Sequence, residues 1–343
     1  MSSERGGPLA MATRACLRVA SVPYRIAVTH RNRGFDSGKR EIVPCGVPVI
    51  CVGNLTTGGT GKTPIVSFIA KWFRSREVRI AIVSRGYGRG DADANDEAME
   101  LHARLPDVPH VQDADRVEAA RIAVEELEAQ VVVMDDGFQH RRLHRDLDIV
   151  VIDATCPFGF GQVLPRGLLR EPIKGLQRAD LVIVTRCDAV DASTLSSIEQ
   201  TVRSVHESIP IIHSTHAPDG LLEYPDQKRS LDGLDGKPVC LVSAIGNPAA
   251  FEQTVRDTGA NIIACKQLPD HDAFSPETVA DLRQWIQTQT DAELVLCTHK
   301  DLVKLQTDRL GGLPLAALTI DLELIGDTQE LDRHLEAIMT SVP

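Results

Sequence analysis

The chain alternates short, nearly continuous apolar runs with longer amphipathic stretches. Apolar runs at 49–52, 78–83, 131–134, 148–152 and 181–184 are rich in Val and Ile and have strand length. Between them, 65–73 and 115–128 read as helices, the second with Val117, Ala120, Ile122 and Val124 mostly on one side. Strands that are apolar throughout, rather than alternating, belong to a mostly parallel sheet covered by helices on both faces. Such sheets bind ligands at the carboxyl ends of their strands. After residue 228 a polar turn intervenes and the pattern restarts. Strands are expected at 239–243, 261–264 and 293–297, and helices at 248–258 and 276–289. The chain therefore divides into an N-terminal segment (1–45), a larger α/β domain (46–228) and a smaller α/β domain (229–343).

The run at 49–52 leads into Gly53-Asn54-Leu55-Thr56-Thr57-Gly58-Gly59-Thr60-Gly61-Lys62-Thr63, with a helix following. Strand, glycine-rich turn, Gly-Lys-Thr and helix are the context of a phosphate-binding loop. Glycines let several backbone N–H groups converge on one oxygen cluster, and the helix N-terminus adds its partial positive charge. Thr56 to Thr63 (Thr56, Thr57, Gly58, Gly59, Thr60, Gly61, Lys62, Thr63) would hold the phosphates of a nucleoside triphosphate. Lys62 would reach the β- and γ-phosphates, and Thr63 would offer its hydroxyl to Mg²⁺. Thr56 stands where the usual pattern has its first glycine. The bland alternative is a glycine-rich turn before a surface helix. A second apolar run ends in Asp135-Asp136-Gly137, acids at the tip of a buried strand where a nucleotide-bound metal is held. With the loop, this makes the fold class α/β of P-loop NTPase type, with a second, smaller α/β domain.

Composition adds limits. The 343 residues suffice for one large and one smaller domain. Eight cysteines form no Cys-x-x-Cys pair and read as buried thiols in a reducing compartment. No run of 18 apolar residues suggests a membrane span. Residues 1–40 hold eight Lys or Arg against two acids, a net of +6, whereas the whole chain is −11. An acidic body argues against nucleic-acid binding, and a basic, partly apolar N-terminus suits an anionic membrane surface. Leu17, Ala20, Tyr24 and Val28 recur at helical spacing and could form its apolar stripe, although Pro23 interrupts it. The alternative is a helix packed on the protein's own core. Arg18 and Arg25 exclude a signal-peptide core. His140 and His144, spaced i, i+4, could ligate a metal if they lay on a helix.

Several motifs in order carry a resemblance over roughly residues 17–305. They are the loop through Lys62-Thr63-Pro64, Ser84-Arg85-Gly86-Tyr87-Gly88, Asp96-Glu97 and Asp135-Asp136-Gly137-Phe138-Gln139-His140. Leu164-Pro165, Arg170-Glu171-Pro172, Asp270-His271 and Lys300-Asp301 follow. On these the chain resembles the tetraacyldisaccharide 4′-kinases, the lipid A 4′-kinases of Gram-negative bacteria. The resemblance implies transfer of the ATP γ-phosphate to the 4′-hydroxyl of a tetraacylated disaccharide 1-phosphate by a two-domain enzyme whose cleft lies between the lobes. It implies a peripheral enzyme on the cytoplasmic face of the inner membrane, meeting the lipid A disaccharide precursor at that anionic surface; no protein partner is inferred. It further implies Asp96 as catalytic base paired with His271, Lys62 as the charge on the leaving phosphate, and Thr63, Asp135 and Asp136 as the Mg²⁺ set. Glu97, Gln139, His140, Arg170 and Glu171 match motif positions near substrate or behind the first contacts. Three positions depart from the family pattern: Asn95 before Asp-Glu, Asp272 after Asp-His, and His299 before Lys-Asp.

Thr185-Arg186-Cys187-Asp188 and Thr298-His299-Lys300-Asp301 loosely resemble the Asn-Lys-x-Asp guanine reader. They keep open a P-loop GTPase of metallochaperone or accessory type, though no Cys/His cluster accompanies them. A nucleotide-switched membrane adaptor without catalysis is a third class.

Overall fold

The computed structural model describes residues 7–86, 92–270 and 272–342. In chain order its elements begin with α1 (Pro8–Asp36), β1 (Val49–Asn54), α2 (Lys62–Arg74), β2 (Ile80–Ser84), α3 (Ala92–Arg104), β3 (His110–Gln112) and α4 (Arg116–Glu125). They continue with β4 (Val131–Asp135), β5 (Leu147–Asp153), β6 (Leu181–Thr185), α5 (Ala192–Val205), β7 (Ile211–Glu223), β8 (Gln227–Arg229) and β9 (Pro238–Ser243). The last are α6 (Pro248–Asp257), β10 (Asn261–Gln267), α7 (Pro276–Gln287), β11 (Leu294–Thr298), α8 (His299–Leu305), β12 (Arg309–Leu310), β13 (Leu313–Ile325) and α9 (Gln329–Thr340). Two compact units form: one within Met1–Gly86, Asp107–Thr215 and Leu324–Pro343, the other within Tyr87–Pro106 and His216–Glu323.

In the first unit the strand order is β7-β6-β5-β1-β4-β2-β3, and every registered pair is parallel. β1 lies between β4 and β5, with Val52 opposite Asp135 and Asn54 opposite Val151. All residues of β1, β4, β5 and β6 are buried, which is why these runs carry no polar alternation. α2 sets Ile65, Val66, Ile69, Ala70 and Phe73 against this sheet. Burial of each of these side chains other than Ala70 stabilises by about 1.5–3 kcal/mol. Pro64 falls in the first turn of α2, where no intrahelical N–H is needed. The parallel sheet and its expected strands are thus present.

α1 runs unbroken through Pro23. That residue is exposed, so water can take the carbonyl its ring deprives of a partner. The inner face of α1 is set by Leu17, Ser21, Tyr24, Val28 and Asn32, spaced three or four apart; Ser21 and Val28 are buried and Tyr24 packs on the core. Here the expected lipid-facing stripe is corrected. Leu17, Tyr24 and Val28 face the protein, and only Ala20 is exposed. The exposed apolar face is instead Met11, Val19, Val22 and Ile26, each more than half exposed.

In the second unit β10-β9-β11-β13 pair in parallel, and β12 returns antiparallel on β13. The far end of β7 pairs with β8, and Thr319 Oγ1 on β13 donates to Gly220 O at 3.0 Å. α3 packs on α8, and Arg104 Nη1 donates to Ile320 O at 3.0 Å. The cysteines are more varied than expected: Cys16 and Cys265 are exposed, and Cys45 and Cys156 are half-buried.

Candidate active site

The glycine-rich turn follows β1 at the carboxyl edge of the first sheet. Gly58 and Gly61 have φ of 109° and 79°, values that glycine alone adopts freely. Gly61 is the N-cap of α2. Thr56 is accommodated differently from a glycine. It forms an antiparallel bridge with Leu169, in extended backbone that suits a β-branched residue. Thr57 N donates to Leu168 O at 2.8 Å, and Arg170 N donates to Leu55 O at 2.7 Å. The segment 168–170 therefore braces one side of the loop. Inside it, Asn54 Nδ2 donates to Thr60 Oγ1 at 3.0 Å, both residues being buried.

Lys62 opens α2 and is buried, with Nζ 3.4 Å from Asp136 Oδ1. Asp136 sits just past β4 in the left-handed region, φ 52°, which turns its carboxylate toward the loop. Arg170 Nη1 donates to both its oxygens, at 2.9 and 2.7 Å. Burial raises the Asp136 pKa, but Lys62 and Arg170 outweigh it and hold the carboxyl below its ordinary value. Asp135, the last residue of β4, is buried beside β1. Thr63 is half-buried in the first turn of α2.

Two close approaches fix this corner. A Cβ on Gly53 would lie 2.6 Å from Phe138 Cβ and 2.7 Å from its backbone nitrogen. One on Gly137 would lie 2.4 Å from Met134 Cγ. The strand before the loop meets Phe138 of the turn only because Gly53 has no side chain, and Gly137 lets the turn fold back onto Met134.

Behind the aspartates, Glu171 is fully buried. Arg178 donates to both of its oxygens at 3.0 Å, Asn32 Nδ2 to Oε2 at 2.8 Å and Gln139 Nε2 to Oε1 at 3.1 Å. Gln139 Nε2 also donates to Asn54 O at 2.8 Å, and Arg178 lies over the Phe138 ring at 4.4 Å. With four donors on one carboxylate, Glu171 has no room for a substrate group. It ties α1, the Gly137–His140 turn and the end of β1 together. Tyr24 Oη adds a bond to Arg170 O at 2.8 Å.

His140 does not stand on a helix with His144; the segment is a series of turns. Burial, and then the charge of Arg116, pushes its pKa down to about 4, so it is neutral near pH 7. Its Nε2 is buried without a hydrogen-bond partner among the described residues. His144 is exposed near Asp146, and no group of His, Cys, Asp or Glu that could hold a metal occurs among the described residues. The His140/His144 metal reading is dropped.

Asp96 and Glu97 fall in α3, but their side chains and His271 lie outside the described residues, as do Tyr87 to Asp91. In the second unit, Thr298 caps α8. Its Oγ1 accepts from Asp301 N at 3.3 Å and donates to Asp301 Oδ2 at 2.7 Å, while Ala244 N donates to that same oxygen at 3.3 Å. Thr298–Asp301 is thus a helix cap, not a base reader. His299 is buried, and burial lowers its pKa. Asp272 accepts from Phe274 N at 2.7 Å, an ordinary turn contact.

Sequence reading missed Ser21, Asn32 and Arg178, whose partners no motif named. It read Tyr24 only as part of a lipid-facing stripe, and Thr185 and Arg186 only as part of a possible guanine reader. Only Asn54, inside the Gly-Asn-Leu run, carried a readable signal.

A family model described as tetraacyldisaccharide-1-P 4′-kinase matches residues 13–340. The chain is 37% identical over 360 residues to a tetraacyldisaccharide 4′-kinase of Anaeromyxobacter sp. (strain K), covering 99% of this chain and 94% of that protein. It is 38% identical over 345 residues to one from Geobacter metallireducens, covering 95% and 98%. A crystal structure of LpxK from Aquifex aeolicus in complex with ATP matches with a TM-score of 0.75 at 29% identity, covering 95% of this chain and 99% of that one.

Proposed function

The chain belongs to the tetraacyldisaccharide-1-P 4′-kinase family, and on that premise we propose how its residues divide the work. It is an ATP-dependent kinase of lipid A biosynthesis, phosphorylating the 4′-hydroxyl of the tetraacylated disaccharide 1-phosphate. The observation that carries the division of labour is the Lys62–Asp136–Arg170 cluster beside the glycine-rich loop.

The backbone N–H groups of Gly58 to Thr63 cradle the phosphates, and Lys62 exchanges its bond to Asp136 for the γ-phosphate. Thr63, Asp135 and Asp136 are hard oxygen donors suited to Mg²⁺. Asp135 ends β4 and Asp136 stands just past it, so both acids lie at the tip of the strand next to β1. Mg²⁺ would neutralise charge on the phosphates. As the bond from the γ-phosphorus to the bridging oxygen breaks, the 4′-oxygen bonds to that phosphorus and its proton passes to Asp96. His271 orients Asp96. Alignment and charge neutralisation supply most of the rate, and the base a smaller part.

No described helix is long and apolar enough to cross a membrane. We place the enzyme on the cytoplasmic face of the inner membrane through the outer face of α1. Met11, Val19, Val22 and Ile26 would enter the headgroup region, while Arg18 and Arg25 beside them meet anionic lipid.

The GTPase alternative is not better supported, since one of its two reader motifs is a helix cap. Incubating the purified full chain with the disaccharide 1-phosphate precursor and ATP or GTP tests the reading. Appearance of the 4′-phosphorylated lipid is expected. Nucleotide hydrolysis with no lipid product would overturn it.

A further inference from the structure

We infer that Arg186 binds the nucleoside end of the triphosphate, its guanidinium plane serving as the platform for the base. This rests on the reading of Thr56 to Thr63 as the phosphate loop. Lys62 and the two aspartates mark the γ-phosphate end, on the β4 side of β1. The nucleoside must then leave the loop on the opposite side, where β5 and β6 follow β1 in the sheet.

The carboxyl end of β6 is built onto the loop from that side. Thr185, fully buried, donates from Oγ1 to Thr60 O at 2.9 Å. Arg186 Nη1 donates to Gly59 O at 3.3 Å and pairs with Asp153, the last residue of β5. Asp153 is itself fixed, accepting from Thr155 N at 2.9 Å and Thr155 Oγ1 at 2.7 Å. The backbone of Arg186 has φ 56°, a conformation rare for a residue other than glycine. Both contacts are made through Nη1, at the edge of the guanidinium, and the side chain stays 23% exposed. A Cβ on Gly58 or Gly59 would meet nothing within 4 Å, so there is open space beside the loop.

A rigidly held guanidinium stacks on any base, because every base has a π-face. Arg186 therefore adds affinity for nucleoside triphosphates as a class, not for one base. The Thr-Arg-Cys-Asp sequence, first noticed as a possible guanine reader, becomes a base-tolerant one.

Arg186→Lys keeps the charge and loses the plane. In the full-length protein it is expected to raise the KM for both ATP and GTP about tenfold, within the range of one lost base stack, with kcat within about twofold. Binding of inorganic tripolyphosphate, which has no base, should not change. Thr185→Val removes the hydroxyl under Thr60 and should weaken ATP and tripolyphosphate together. Unchanged nucleotide KM in Arg186→Lys, or tripolyphosphate weakening in step with ATP, would show that Arg186 only braces the loop and would overturn the inference. Wild-type protein that holds neither ATP nor tripolyphosphate would instead bring down the phosphate-loop reading, and this one with it.

Discussion

Lys62, buried, and Asp136, half-buried, form an ion pair, Nζ to Oδ1 3.4 Å, across the corner between the glycine-rich loop and β4. The lysine that should meet the γ-phosphate is held by the neighbouring acid, and Arg170 clamps that acid from its other side. The site is pre-organised in charge as well as shape.

Removing either partner should be costly for catalysis. Lys62→Ala is expected to lower turnover by about a hundredfold or more, at about 1.4 kcal/mol per decade. Asp136→Asn should be impaired less in ATP affinity than in turnover, because Lys62 is then free to bind phosphate but its geometry is lost. Steady-state assays with the lipid acceptor decide. Near-normal activity in Lys62→Ala would remove the phosphate-loop assignment.

Glu171 acts through its neighbours. Glu171→Gln should leave the half-buried Arg178 without its carboxylate, a loss of about 2–3 kcal/mol measurable by denaturant unfolding. Asn32→Ala deletes one donor and should cost about 1–2 kcal/mol. An unfolding midpoint for Glu171→Gln equal to wild type would contradict the network.

His140 gives a pH dependence with a definite sign. Its folded pKa, about 4, lies below the ordinary value near 6.5. Between those values the unfolded chain binds more protons than the folded one, so stability should fall as pH drops from about 6.5 to 4. His140→Asn should flatten that part of the curve. A proton NMR titration showing His140 charged at pH 6 would refute the assignment.

The outer face of α1 can be tested without touching its inner face. Val22→Asp with Ile26→Asp should weaken sedimentation with anionic vesicles severalfold and leave the folding midpoint nearly unchanged, since both side chains are exposed. Raised salt should weaken binding of the wild type through Arg18 and Arg25. Binding to vesicles unaffected by the double substitution would place the contact elsewhere.

Asp96 and His271 are expected to work as one unit. Alanine at either should lower turnover strongly with ATP affinity mostly retained, and the double variant should cost little more than the worse single. If the logarithmic losses add, the two are independent, and transfer relies on positioning by the loop and its charges.

The sequence by itself determined what is local. Val49 to Thr63 must be strand, turn and helix, because buried β-branched residues, glycines at positive φ and Lys-Thr-Pro at a helix start each favour one backbone state. Val131 to Asp136 likewise announces a buried strand with acids at its tip. Composition gave α1 its charge but not its orientation. Two apolar stripes share that helix, and hydrophobicity alone does not say which one the protein covers. Only the tertiary structure decided that Tyr24 and Val28 face inward while Val19, Val22 and Ile26 face out. It also decided that Asn32, Gln139 and Arg178 meet on Glu171, and that Thr185 and Arg186 close on the loop. Apart from Arg178 and Glu171, which are seven positions apart, those contacts join residues 32 to 139 positions apart. Each is made by a polar side chain whose partner is chosen by the parallel order of the strands, a long-range property that no local spacing records.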